Sequence, residues 1–205
     1  MLYKSALLGL LFVFWVQALS AQEDLFSQIA KEQGAEQAFD LLPERMLFTQ
    51  RLLWGEKGAL RVTGIAKLTE EQRIKELRLR KTLLNAHQVI GYATLAGMVA
   101  QGILGGQLYK GDYSIYHTHK TVGQVVTATY FTGAALSLFT PPPLISSKEV
   151  GLSGARAHKW LATVHLSAMI ATQHYKDRDK AIHRAAAYTA FGAFAAATIV
   201  IRLKQ

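Results

Sequence analysis

Residues 85–106 read NAHQVIGYATLAGMVAQGILGG, 22 consecutive positions without a charged side chain. The uncharged stretch reaches from Leu83 to Leu108. About 20 apolar residues in a helix cross the roughly 30 Å hydrocarbon layer of a bilayer, so this segment reads as a membrane span. Three further apolar stretches follow, Thr121–Phe139, Trp160–Gln173 and Ala185–Leu203, each long enough when its flanking residues are added. The third is the shortest and carries His165 in its middle, which fits a tilted or partly interfacial helix. Gly102, Gly106 and the run AAAYTAFGAFAAAT (185–198) supply small residues, which let helices approach closely in lipid. The expectation is an all-α protein with a membrane-embedded four-helix bundle over residues 83–205.

Composition points the same way. Of 205 residues, 50% are hydrophobic and 18% charged, whereas soluble chains carry about 25% charged residues. The chain has no cysteine, which excludes disulfides, iron–sulfur clusters, thiolate zinc sites and a covalently attached c-type haem. Any metal must be held by His, Met or oxygen, and there are seven histidines. The net charge is +9, but residues 22–82 hold 11 Lys/Arg against 10 Asp/Glu, and residues 83–205 hold 11 against 4. The excess therefore sits in the apolar half, where basic residues anchor spans at the membrane interface. No basic stripe interleaved with aromatics is present, so the expected partner is membrane lipid and not nucleic acid.

The first 21 residues carry Lys4, an apolar core from Ala6 to Val16, and small residues at Ala18, Ser20 and Ala21. That pattern is a secretory signal peptide, its rival being an uncleaved anchor helix. Residues 22–82 form a polar extramembrane segment. Glu23–Lys31 and Arg45–Trp54 are amphipathic, Pro43 interrupts between them, and Gly55 and Gly58 mark a turn. Thr69 with Gln72 begins a capping box, from which EEQRIKELRLRKTLLNAHQ runs on into the first span. A removed leader places residues 22–82 outside, the periplasmic side of a bacterial inner membrane. Counting basic residues then gives 11 outside (Lys67, Arg73, Lys75, Arg78, Arg80, Lys81, Lys148, Arg156, Lys159, Arg202, Lys204) against 6 inside. That opposes the positive-inside tendency and leaves the outer cations to serve a buried anionic ligand.

Each span has a histidine at its amino end: His87, His119, His158 and His183. Spans alternate in direction, so His87 pairs with His158 at one face and His119 with His183 at the other. Bundles build cofactor sites in this way from facing helices. The residues one turn on, at i+4, are Gly91, Gly123, Ala162 and Ala187, all small, leaving bare helix surface beside each imidazole. Cations lie close by: Lys120 follows His119, Lys159 follows His158, Arg184 follows His183, and Lys81 precedes His87 by six residues. They suit the propionates of a haem whose ring points into the bilayer. One histidine near the headgroups is usually just an interfacial polar residue; the coincidence at four positions is what points to two non-covalent bis-histidine haem b groups. His117 is an alternative ligand to His119, but its i+4 residue is Thr121. His165 lies on the face of His158, about 10 Å deeper by helical rise, and is expected to contact the outer haem or bond a neighbouring carbonyl. His174 marks the inner end of the third span, and Met98 and Met169 read as gap-fillers ahead of axial ligands.

Four pieces, NAHQVIGYATLAGMVAQGILGG (85–106), THKTVGQVV (118–126), AHKWLATVHLSAMIATQ (157–173) and IHRAAAYTAFGAFAAAT (182–198), resemble the cytochrome b561 family. The resemblance covers about 120 residues. It implies four helices holding two b haems through one histidine each, and transmembrane electron transfer. The six-helix members carry an additional span on each side of the core, and the family's ascorbate-contacting pattern has no counterpart here. The donor is therefore a quinol, ascorbate or a redox partner protein, and a homo-oligomer is open. Rival readings are a haem-free membrane scaffold that docks a partner through residues 22–82, and a metal-ion permease using His165.

Overall fold

A computed structural model describes residues 41–144 and 154–202, all within one compact unit. The expected signal peptide and the Glu23–Lys31 helix lie outside the described residues. Among the described residues the chain is all-helical, without strands. Two short helices, α1 (Phe48–Trp54) and α2 (Ala59–Val62), precede the long helices α3 (Glu70–Tyr109), α4 (Tyr116–Leu138), α5 (Gly154–Tyr175) and α6 (Lys180–Arg202).

Helix α3 begins where the sequence places it, with Thr69 Oγ1 accepting from the Gln72 amide at 3.3 Å, which satisfies one of the first-turn donors. It continues without a break through residue 83, so the polar segment and the first apolar stretch share one 40-residue helix. By length and composition α3 and α6 are, among the described residues, the two helices long and apolar enough to cross a membrane. Helix α4 stops at Leu138, ahead of Pro141, Pro142 and Pro143, because proline removes the donor that a further turn needs.

The long helices form two antiparallel hairpins, α3 on α4 and α5 on α6, which meet chiefly through α3 and α6. Packing within a hairpin is close: a Cβ on Gly97 would fall 2.6 Å from Val126 Cγ2. The buried core lies at mid-height, where Met98, Val126, Tyr130, Ala168, Met169 and Ala190 gather from all four helices.

The segment before α3 caps the α3/α4 hairpin. Trp54 Nε1 donates to the Phe139 carbonyl (2.9 Å) and Thr49 Oγ1 to that of Leu138 (2.5 Å). Arg73, buried, donates to the carbonyls of Leu41 (2.7 Å) and Pro142 (3.1 Å), and Arg80 to that of Pro141 (2.7 Å). Glu76 balances this charge by accepting from both Arg61 and Arg73. The polyproline turn thus offers carbonyls that have no intrahelical use, and guanidinium groups take them.

Candidate functional site

The four histidines predicted at span ends occupy inward positions on four different helices. His87 lies well inside α3, whereas His119, His158 and His183 fall in the first turns of α4, α5 and α6. Each is partly buried. They come together as the parity argument requires. The His87 and His158 ring centres are 6.4 Å apart with planes at 87°, and His119 lies within electrostatic reach of His183. Both pairs bridge the hairpins, α3 to α5 and α4 to α6.

Three of the imidazoles are held by the partner helix of their own hairpin. His87 Nδ1 meets the Gly133 carbonyl at 2.8 Å, His158 Nδ1 that of Ala197 at 3.1 Å, and His183 Nδ1 that of Thr172 at 2.9 Å. A carbonyl only accepts, so in each case Nδ1 carries the proton and Nε2 keeps its lone pair. Fixing Nδ1 in this way is the usual outer-shell support of a metal-ligating histidine. A Cβ at Gly133 would stand in ordinary contact, 3.9 Å from His87 Nδ1 and 3.4 Å from Ile90 Cγ2, so the bond rests on the carbonyl and not on the missing side chain. His119 departs from the pattern. Its own carbonyl accepts from Gln101 Nε2 at 2.6 Å, while its Nδ1 and Gln101 Oε1 are buried without a partner among the described residues.

A register underlies these contacts. Gly133 stands 14 residues after His119, Thr172 14 after His158, Ala197 14 after His183 and Gln101 14 after His87. Four helical turns rise about 21 Å, so each helix carries a histidine at one level and the anchor for another helix's histidine at the other. Sequence reading missed these anchors; the signal available was a fixed spacing, not a residue type, because backbone carbonyls do the work.

The remaining predicted residues divide. Gly91 faces open space, since a Cβ there would meet nothing within 4 Å, as a bare surface beside His87 requires. At Gly123 a Cβ would fall 2.8 Å from Gln101 Nε2, so the missing side chain there makes room for Gln101. Ala162 and Ala187 are half-buried, as is Lys81, while Lys120, Lys159 and Arg184 are exposed. Arg184 lies 3.9 Å over the Tyr109 ring, a cation–π contact that ties α6 to the end of α3. His117 is exposed and set edge-on to Tyr116. His174 accepts from Arg178 Nη1 at 2.6 Å. Met98 and Met169 are buried in the core, filling space as expected. His165 bonds a side chain and not a carbonyl: its Nδ1 lies 2.6 Å from the Tyr130 hydroxyl.

The residues present fit a bis-imidazole haem. Two nitrogens each about 2.0–2.1 Å from a shared metal, with ring centres about 1.1 Å farther out, stand about 6.3 Å centre to centre, against 6.4 Å for His87 and His158. At the other level the orphaned His119 Nδ1 and Gln101 Oε1 mark polar atoms whose surroundings are incomplete. Among the described residues no three or more His, Asp or Glu side chains gather as a bare ion site; the histidines form pairs. No protein-family model, curated protein or solved structure matches the chain.

Proposed function

We propose that this chain is a di-haem b-type cytochrome resembling the cytochrome b561 family, integral to a membrane and carrying electrons across it. The observation that carries the reading is the His87–His158 pair, facing across the hairpin seam at metal-bridging distance with both Nδ1 atoms fastened to backbone carbonyls. His87 and His158 hold one haem b; His119 and His183 hold the other. Each bound haem supplies a one-electron couple. The protein's part is to fix both imidazoles with Nε2 free, to exclude water from the seam with the mid-height core, and to place cations at the rims. Lys81, Lys120, Lys159 and Arg184 suit haem propionates there.

What the long helices leave outside supports the membrane setting. Ile103, Val125, Ile170 and Ile199, one per helix, each expose more than half their surface, which lipid would cover. On this reading the long helices are a four-helix membrane bundle, residues 1–21 are the leader, and residues 22–82 lie on the periplasmic face of a bacterial inner membrane. Donors of quinol, ascorbate or protein type fit equally.

The test is a dithionite-reduced minus oxidised spectrum of the full chain purified in mild detergent. Paired b-type bands are expected. His183→Ala should remove one component and spare the other. A flat trace from folded protein refutes the cytochrome and favours a haem-free scaffold.

A further inference from the structure

The space between the two histidine levels is not lined alike at its two ends. Eleven residues after the ligands on α4 and α6 stand Tyr130 and Phe194, one turn from the Gly133 and Ala197 carbonyls that hold His87 and His158. The equivalent positions on α3 and α5 are Met98 and Met169, one turn from Gln101 and Thr172 at the other level. Midway, seven residues after each ligand, α3 and α5 present Thr94 and His165, whereas α4 and α6 present Val126 and Ala190.

The polar members lean toward one centre. The Tyr130 hydroxyl and His165 Nδ1 bond at 2.6 Å across the seam, from one hairpin to the other. Phe194 closes against His165 at 5.0 Å between ring centres and against Tyr130 at 5.8 Å. Tyr130 is 3% exposed, and His165 lies within electrostatic reach of both His158 and His87. Thr94 Oγ1, at the same depth, is buried without a partner among the described residues. Packing alone does not call for this group: hydrogen bonds between membrane helices average only about 0.6 kcal/mol, and apart from Tyr130 itself the neighbouring core is apolar, with Met98, Val126, Ala168, Met169 and Ala190. A polar side chain inside a span is costly and marks function by default.

Building on the di-haem reading, we propose that the Tyr130–His165 pair sets the reduction potential of the centre held by His87 and His158. Oxidation leaves that centre with one more positive charge. A hydroxyl and an imidazole close by solvate the charged form, as buried dipoles do; at the matching positions by the other centre stand Met98, Met169, Val126 and Ala190, and the polar side chain at that level, Gln101, is spent on the His119 carbonyl through Nε2. The His87–His158 centre is therefore the more easily oxidised of the two, and the difference is built into side chains that touch neither ligand. Tyr130 and His165 are positioning residues in this sense.

The test is a spectroscopic redox titration of the full haem-loaded chain in mild detergent, with the components assigned through His87→Ala and His183→Ala. The expected wild type titrates in two steps, the His87–His158 component at the lower potential. Tyr130→Phe should favour reduction of that component by up to about tenfold, which is 59 mV for a one-electron couple, and leave the other in place. His165→Leu should act in the same direction, and His165→Gln, which keeps a partner for the hydroxyl, should fall between. No shift, an equal shift of both components, loss of haem from Tyr130→Phe, or a wild type with the opposite order each overturns the proposal. A wild type without haem bands fails the parent reading instead, and is recognised before any variant is made.

Discussion

Glu76→Gln should destabilise the fold by about 3–5 kcal/mol, the usual cost of removing one partner from a buried ion pair. The Glu76 side chain is 1% exposed, and those of Arg61 and Arg73 are 5% and 2% exposed. Its carboxylate accepts from both terminal nitrogens of Arg61 and from Arg73 Nη1. Glutamine preserves the size but offers one oxygen and turns an NH2 group toward a guanidinium that has nothing to accept with. The arginines keep some support, Arg73 from the Leu41 and Pro142 carbonyls and Arg61 from that of Ala66, which places the effect near the lower bound. For a chain of this size each kcal/mol moves Tm by about 2–4 °C, so a loss of roughly 6–12 °C is expected. Thermal unfolding in mild detergent followed by far-UV circular dichroism measures it, with amide exchange over residues 48–66 locating it in the cap. Glu71→Gln is the control. Lys75 beside Glu71 holds its carboxyl below the usual carboxylate range, yet the Lys75 and Glu71 side chains are 60% and 81% exposed, so the bond is screened and the melt should match the parent. A Glu76→Gln melt within about 2 °C of the parent, or one no different from Glu71→Gln, would refute the reasoning.

Three further outcomes follow from single contacts. Gly97→Ala places a Cβ 2.6 Å from Val126 Cγ2 and should cost about 1–3 kcal/mol by overpacking; Val126→Ala should recover much of that loss in the double variant, and simple additivity in the double-mutant cycle would contradict the contact. Gly105→Val crowds His119, whose Cε1 lies 3.2 Å from the position of a Cβ at residue 105; on the di-haem reading the His119–His183 spectral component should therefore be lost and the other kept, whereas two intact components would show that the imidazole has room. Trp54→Phe deletes the donor to the Phe139 carbonyl, a bond worth about 1 kcal/mol, and amide exchange in α1 should quicken by up to about tenfold; unchanged protection would mean that apolar contact alone holds the cap.

Apolar length and small-residue content made the helical class legible, because an uncharged run as long as 85–106 is too long for a strand and satisfies its backbone groups internally as a helix. The proximity of His87 and His158 was legible too, since alternating helix direction fixes which residues share a level. The extent of α3 was legible from Thr69 onward, where capping chemistry is local. Other features were not. The anchors at Gly133, Thr172 and Ala197 act through carbonyls, which every residue has, so no residue type announces them. Gly123 reads like Gly91 by spacing alone, and only the placement of Gln101 on the neighbouring helix separates a packing glycine from an open one. The partner of His165 was hidden because Tyr130 is 35 residues away on a different helix, at a distance that only the hairpin arrangement sets.

The division of labour among these contacts bears on how a site of this kind assembles. Each tether that orients a histidine lies within one hairpin: His87 on Gly133 joins α3 to α4, and both His158 on Ala197 and His183 on Thr172 join α5 to α6. The histidine pairs themselves lie between hairpins. Three of the four imidazoles, His87 on one hairpin and His158 and His183 on the other, thus have rotamer and tautomer fixed without help from the opposite hairpin, and the ordering entropy at the seam is correspondingly smaller. The seam has few close backbone contacts of its own, being joined chiefly by α3 against α6 and by the mid-height core. A group that bridges two such pairs would then act as mortar between preformed halves. Its binding energy would appear as stability of the whole, concentrated at the seam and scarcely felt inside either hairpin. On the di-haem reading, a haem-depleted chain should consequently show faster amide exchange where α3 faces α6 while the Gly97–Val126 contact stays protected, and uniform loosening of both hairpins would argue that the histidine tethers are consequences of a cofactor and not preparation for it.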